Sequence, residues 1–344
     1  MLTIAQVDKI IYAISVVLSR SINRKRNAST EIIEKILIIR LDEIGDLCYT
    51  SPVFELLRKR YPKSHITLWC REFAYSLVSE DPHLNKIITD KKELDQKYDL
   101  IVDLRGKWEG LYYAMKHRPQ VRVDRGTVRL KNKRKGAHPH EAITNFEIIQ
   151  PLLAEGTQLP PAKIYIAEKD KLTADKFLSD HQLTRFAVFH TGARRELRKW
   201  PADRFAAIAS MLKNQYDLDI VFSGDKSDVN EIQEIQQLLP FKTFSIADVL
   251  NLGSFAAFVS KAAFYIGNES GPLHIASVSG TRCIGLFGPG EPFVFYPRGE
   301  QSAVLHHILS CNPCDQIHCV HPSHPCIQRI TVTEVEEKIK SMLD

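Results

Sequence analysis

The sequence predicts an α/β protein of two doubly wound domains, each built on a parallel sheet, with a cleft between them. Short β-branched apolar runs alternate with helical patterns, the arrangement of strands joined by helical crossovers. That rhythm breaks over residues 116–140, passes Pro160-Pro161 and starts again at Phe186. The length of 344 residues suits two domains or one large one, at roughly 100–200 residues per domain. The expected divisions are an N-terminal helix and linker over 1–34, a first domain over 35–160, and a second over 161–344 that ends in a cysteine cluster and a helix.

At the N-terminus, Ile4, Val7, Ile11, Ile14 and Leu18 recur at helical spacing, and Arg20, Arg24, Lys25 and Arg26 add a basic cluster. An amphipathic helix of this kind suits an anionic membrane surface. It equally suits a helix packed on the protein's own body. The apolar run Ile10–Leu18 is interrupted by Tyr12 and Ser15 and falls short of the ~18 residues of a spanning helix. The charge follows the apolar stretch rather than preceding it, so no cleaved secretory signal is expected.

Residues 27–34 read as a linker. Lys35–Leu41 is an apolar, β-branched run and so a buried strand, followed by Gly45 and a helix through Val53, Leu56 and Leu57 that ends near Tyr61-Pro62. Further strands are expected at 65–70, 85–89 and 99–104, with a short helix over 73–79. Residues 116–140 hold nine Lys/Arg and a single acid, Asp124. They read as an interruption of the sheet pattern: a solvated loop, or a surface that attracts an anionic acceptor. A helix over 141–154 follows. In the second half, strands are expected at 186–190, 218–223, 263–266 and 283–287, and helices at 203–215, 228–239 and 273–279.

Composition excludes several classes. Hydrophobic residues at 44% and charged residues at 25% rule out a disordered or fibrous chain. Lys plus Arg is 46 against 41 Asp plus Glu, a formal charge of +5, too small an excess to indicate a nucleic-acid partner. Cys48, Cys70 and Cys283 are scattered in apolar surroundings and read as reduced core residues. Cys311, Cys314, Cys319 and Cys326 crowd into one segment with His318, His321 and His324. Four thiolates at that density can close a structural zinc site; a reduced loop, or a disulfide formed on oxidation, fits the same residues. The pattern is not a secreted disulfide framework, and a cytoplasmic compartment is expected.

Four loops carry chemistry. In Arg40-Leu41-Asp42-Glu43-Ile44-Gly45-Asp46-Leu47 a strand gives way to a helix. Asp46 there can act as a general base on a substrate hydroxyl, or simply cap the helix. His190-Thr191-Gly192-Ala193, continuing through Arg194, Arg195, Arg198, Lys199, Trp200 and Pro201, follows a strand. Thr191 and the backbone around Gly192 can hold a phosphate, and Arg198 or Lys199 can neutralise a leaving diphosphate; a solvated basic loop is the alternative. In Ile266-Gly267-Asn268-Glu269-Ser270-Gly271-Pro272-Leu273-His274, Glu269 can accept from ribose hydroxyls, and the Ser270 and Gly271 N–H groups can meet a phosphate. Phe287-Gly288-Pro289-Gly290-Glu291-Pro292 is another loop at a strand end. Asp217-Leu218-Asp219 has the look of a metal-binding pair but leads into a strand, and is read as structural.

Taken together, these loops resemble glycosyltransferase family 9, the lipopolysaccharide heptosyltransferases, over roughly residues 35–335. The resemblance implies a GT-B fold, two Rossmann-like domains facing across a cleft, with the acceptor site in the first and the nucleotide-sugar site in the second. The family's catalytic aspartate falls on Asp46. Its Asp-Thr/Ser-Gly falls on Glu269-Ser270-Gly271, with one added methylene, and its Lys-Arg/His-Trp-Pro on Arg198-Lys199-Trp200-Pro201. The implied reaction is an inverting transfer of a sugar, heptose from ADP-heptose, onto an anionic lipopolysaccharide core or related cell-surface glycan. Asp46 is the base, Arg198 the diphosphate cation, and Thr191, Gly192, Lys199, Glu269, Ser270, Gly271 and His274 the donor site. No cofactor is required for catalysis, and the setting is the cytoplasm or the inner face of its membrane. A nucleotide-sugar epimerase or hydrolase of the same fold, and a non-catalytic glycan-binding protein, are the alternatives.

Overall fold

A computed structural model of the chain describes residues 4–23, 32–94, 97–312 and 314–344. It forms two compact units, Met1–Tyr165 and Ile166–Asp344. The side chains of Ile4, Val7 and Arg20, the basic residues Arg24, Lys25 and Arg26, and residues 27–31 of the expected linker lie outside what is described.

The first unit runs α1 (Ile4–Asn23), β1 (Lys35–Arg40), α2 (Ile44–Cys48), α3 (Ser51–Arg60), β2 (His65–Cys70), β3 (Lys86–Ile88), β4 (Leu100–Asp103), α4 (Trp108–His117), β5 (Val121–Asp124), α5 (Arg125–Arg134) and α6 (Glu141–Ile149). Its five strands are ordered β3-β2-β1-β4-β5 and every pair is parallel. β1 is buried from Ile36 to Arg40, as expected of a strand covered on both faces. The chain builds outward from β1 on one side, then returns to the other side at β4. The point between β1 and β4 is therefore the topological switch, where ligands bind beyond the carboxyl ends of the strands.

The second unit runs α7 (Glu168–Asp180), β6 (Phe186–His190), α8 (Ala202–Tyr216), β7 (Asp219–Ser223), α9 (Val229–Gln237), β8 (Phe244–Ser245), α10 (Leu252–Val259), β9 (Phe264–Asn268), α11 (Gly271–Val278), β10 (Cys283–Phe287), α12 (Pro292–Phe295), β11 (Ser302–His306) and α13 (Val332–Leu343). Its six strands are ordered β11-β10-β9-β6-β7-β8, again all parallel. Here the switch lies between β6 and β9. Phe189, Phe205, Phe222 and Trp200 pack in one core with Ile330, Val335 and Ile339 from the C-terminal segment. Asp217 takes a left-handed turn after α8, and both it and Asp219 pair with Lys213, which is the structural role expected of them.

Two expectations need correction. Residues 116–140 do not interrupt the sheet: they supply the end of α4, strand β5 and helix α5. The strand was hidden because its sequence, Val-Arg-Val-Asp, alternates charge with apolar residues, yet Arg122 and Asp124 are as buried as the valines. Burial is tolerated because the charges are satisfied. The Arg122 guanidinium lies 3.0 Å from Asp103 and 3.1 Å from Asp124, and it donates to the Ser19 hydroxyl at 2.6 Å. Ser19 in turn donates to Asp124 at 2.6 Å.

The second correction concerns α1. Its body-facing side holds Ile11, Ser15 and Ser19, whereas Ile14 is exposed. The helix packs against α4, β5 and α5. Its serines face inward because Arg122 donates to the Ser15 carbonyl and hydroxyl as well as to Ser19. No described helix is long and apolar enough to cross a membrane.

Removing Arg122 would strand two carboxylates in the core. Arg122→Ala is expected to cost about 3–5 kcal/mol of stability, read from urea unfolding, and to speed proteolysis within α1. A wild-type urea midpoint in the variant would show that the network carries no such weight.

Candidate active site

In the first unit the site is assembled at the carboxyl end of β1. Arg40, the last residue of that strand, is almost wholly buried. Its guanidinium donates to the Leu104 carbonyl at 2.9 Å, to Asp42 at 3.2 Å, to the Asp46 carbonyl at 3.1 Å and to Glu141 at 2.5 Å. It also stands 3.5 Å from the Asp46 carboxylate. Glu141, the first residue of α6, is fully buried, and Arg125 grips both its oxygens at 2.6 and 2.7 Å. Burial alone would raise the Glu141 carboxyl, but Arg125 and Arg40 override it and hold the group at about 2.

Asp46 sits in the first turn of α2, where its carboxylate accepts the Glu43 N–H at 3.2 Å. It therefore closes the helix start, as the capping reading expects, while its side chain keeps 17% of its surface exposed. An acceptor hydroxyl needs that opening. Burial pushes the Asp46 carboxyl up to about 6; Arg40 opposes the rise, and Glu141 and Asp42 add to it. A carboxylate tuned near neutrality and open to solvent is suited to general-base work. Glu141 and Arg125 were not singled out from the sequence. The available signal was a charged residue at each of two strand–helix or helix-start junctions, Arg125 after β5 and Glu141 opening α6.

In the second unit the predicted residues gather at the β6/β9 switch. Thr191 follows β6 and is buried, and its hydroxyl has no hydrogen-bond partner among the described residues. Gly192 lies against the Asp228 carboxylate so closely that a Cβ would overlap it. Asn268, at the end of β9, donates to the Thr191 carbonyl at 2.5 Å and accepts from the Trp200 N–H at 3.0 Å, which ties the two loops together. Glu269 is buried next to it, 3.3 Å from Arg198, with its second carboxylate oxygen unpaired among the described residues. Gly290 backs onto that carboxylate where no side chain would fit. Burial pushes the Glu269 carboxyl up to about 7 against the pull of Arg198, and Glu291 adds to the rise. Ser270 precedes α11 and Gly271 opens it, so first-turn N–H groups lie beside the switch. His274 is buried on the same helix.

Arg198 also donates to Gln316 at 2.7 Å, which fixes it from the C-terminal segment. Lys199 goes elsewhere: its ammonium pairs with Glu231 of α9 at 2.7 Å and with Glu196 at 3.1 Å. The structure thus brings Arg198, Glu269, Thr191 and Ser270 to one switch point and holds Lys199 by other partners. Cys311, Cys314, Cys319 and Cys326 are free thiols that line one small cavity with Leu197 and Pro289. Among the described residues no three Cys, His, Asp or Glu side chains are arranged to hold a metal ion, so the expected structural zinc is not confirmed.

Two Rossmann-like units, each with polar and charged residues at its switch point, are the α/β architecture of the GT-B fold. The chain belongs to glycosyltransferase family 9 (heptosyltransferase), whose sequence profile matches residues 88–324, more than half of its length. It is similar to the lipopolysaccharide core heptosyltransferase OpsX of Haemophilus influenzae, at 22% identity over 80% of this chain and 85% of that protein. Among solved structures, the family 9 glycosyl transferase of Veillonella parvula superposes with a TM-score of 0.79 at 22% identity, covering 91% of this chain and 98% of that one. ADP-heptose lps heptosyltransferase II of Escherichia coli superposes with a TM-score of 0.70 at 20% identity, covering 90% and 98%.

The two raised carboxyls make a stability prediction. A carboxyl whose pKa is higher folded than unfolded favours folding at low pH, where it is protonated, and that contribution is lost as pH rises through the folded value. For Asp46 the window runs from 3.8 to about 6 and for Glu269 from 4.5 to about 7. Asp46→Asn and Glu269→Gln are each expected to be about 1–3 kcal/mol more stable than wild type at pH 8, with the gain gone at pH 4. Urea midpoints at the two pH values check this.

Proposed function

We propose that this transferase moves a heptose from ADP-heptose, with inversion, onto the lipopolysaccharide core or a related anionic glycan, and does so at the cytoplasmic face of a membrane. The observation that carries the reading is the Asp46 carboxylate, largely enclosed at the β1/β4 switch but still partly exposed, held by Arg40 and tuned by burial to about 6. The relatives support the substrate class: one is a lipopolysaccharide core heptosyltransferase and another an ADP-heptose lps heptosyltransferase.

In the proposed step Asp46 takes the proton of an acceptor hydroxyl as that oxygen attacks the anomeric carbon of the donor. The bond from that carbon to the diphosphate oxygen breaks, and its electron pair leaves with the nucleoside diphosphate. Attack from the face opposite the leaving group inverts the centre, through an oxocarbenium-like transition state. Arg198 meets the charge that grows on the diphosphate, aided by the Thr191 hydroxyl and the N–H groups opening α11. Glu269 is placed for the ribose hydroxyls, and its hold on Arg198 keeps the guanidinium at the switch point. Lys199, engaged by Glu231 and Glu196, takes no part.

The test is nucleoside diphosphate release from a panel of nucleotide sugars, with and without truncated core acceptors, and product mass read in parallel. Acceptor-dependent release from ADP-heptose with a matching mass gain is expected. Asp46→Asn should lose at least 10²-fold, and Arg198→Ala at least tenfold. The wild-type rate should fall as pH drops through about 6, because a protonated carboxyl accepts no proton. Acceptor-independent turnover would replace this reading with an epimerase or hydrolase.

A further inference from the structure

The first unit carries an apolar surface that the proposed chemistry does not use. On α1, Ile10, Ile14 and Val17 are exposed, Val17 by 68%. On α4, Trp108, Tyr112 and Met115 are exposed, Tyr112 by 54%. Both sets repeat at i, i+4, i+7, so each forms one outward stripe on its helix, and the two helices pack against each other. Trp108 and Tyr112 lie with ring centroids 6.4 Å apart.

Neither helix can roll to hide its stripe. α1 is fixed by the buried hydrogen bonds of Ser15 and Ser19 to Arg122, and α4 by buried Leu111, Tyr113 and Ala114. Cations lie beside the stripes. Lys116 and Arg118 are exposed at the end of α4, and Lys131, Lys133, Arg134 and Lys135 along α5, the helix that packs on α1. Asp124, the one acid in residues 116–140, is buried and paired with Arg122. Exposed Trp and Tyr with aliphatic side chains, flanked by cations, are what a bilayer interface with anionic headgroups accepts.

We infer that the α1/α4 face, with the basic side of α5, is a docking surface for an anionic lipid bilayer. This names the surface behind the membrane-face part of the function proposed above and rests on it. A spanning segment is not involved; the stripes enter the headgroup boundary while the cations meet anionic lipid. Docking of this kind weakens with salt, because its electrostatic part is screened.

The experiment is flotation of the full chain with vesicles of phosphatidylcholine alone or with 30 mol% phosphatidylglycerol, a composition chosen for the assay at roughly physiological anionic content. Binding to the anionic vesicles is expected, reduced in high salt. Val17→Ser with Trp108→Ser and Tyr112→Ser should lower that binding at least tenfold. A variant with Lys131, Lys133 and Arg134 changed to Glu should lower it as far. The apolar triple variant should keep wild-type turnover on a water-soluble acceptor, which separates docking from catalysis. Flotation is read without turnover, so it stands or falls apart from the transferase reading. No binding by wild type, equal binding to both vesicles, or a triple variant that binds as wild type would overturn the inference. So would a triple variant whose only change is loss of self-association, which would make the face a contact between copies of the chain.

Discussion

Charge removed from water has to be paired, and in the first unit that constraint organises nearly everything of interest. Arg40, Arg122, Asp103, Asp124 and Glu141 are all buried within or beside one parallel sheet. Each pays a desolvation penalty that only close opposite charge and hydrogen bonds offset. The sheet places them so that this happens: β1, β4 and β5 are neighbours, and their carboxyl ends present Arg40, Asp103 and Asp124 side by side. From these arise two networks. One fastens α1 through Arg122; the other fastens α6 through Glu141 and leaves Asp46 at its rim.

The consequence for Asp46 is a carboxyl pulled in opposite directions. Arg40 favours its ionised form, while burial and the neighbouring Glu141 and Asp42 oppose it. Glu141 absorbs most of what the two arginines offer, since Arg125 and Arg40 both bond to it. Were Glu141 absent, both guanidinium groups would bear more fully on Asp46 and Asp42 and make Asp46 a weaker base. The buried glutamate thus keeps the arginines from over-stabilising the partly exposed Asp46 carboxylate. The second unit solves a related problem differently. Glu269 has one strong partner, Arg198, and one unpaired oxygen, so its carboxyl remains available to a ligand at the cost of stability above neutral pH.

The sheet strands were legible where burial is uniform. His65–Cys70, Phe186–His190 and Cys283–Phe287 read directly as apolar runs and stand as β2, β6 and β10. Legibility failed where a buried residue is polar. Nothing local in Val121–Asp124 says that Arg122 will meet Asp103 and two serines from a helix about a hundred positions earlier. For the same reason Ile14, read at helical spacing with the apolar residues of α1, is exposed, while Ser15 and Ser19 face inward. Among the candidate residues, Asp46, Thr191 and Glu269 were singled out because the segment after a buried strand is where such folds put chemistry. Glu141 and Arg125 were not, because their role exists only through pairing across the fold. Lys199 shows the converse: it neighbours Arg198 in sequence, but successive residues point apart, and it finds Glu231 instead.

Helix α5 joins the two halves of this argument. Its first residue, Arg125, grips Glu141 in the network beneath Asp46, while its exposed cations run on to Arg134 and Lys135 along the helix that packs on α1. An acceptor anchored in a bilayer can move only laterally, so an enzyme acting on it gains by holding a fixed height and orientation at the surface. A docking face built on α1 and α4 would be carried by the same rigid ion networks that hold the base. Arg122 locks α1 to β5, β5 leads directly into Arg125, and Arg125 locks α5 to Glu141. The buried charges that cost this unit stability therefore form a continuous chain from the exposed apolar stripes to the carboxylate proposed to take the proton.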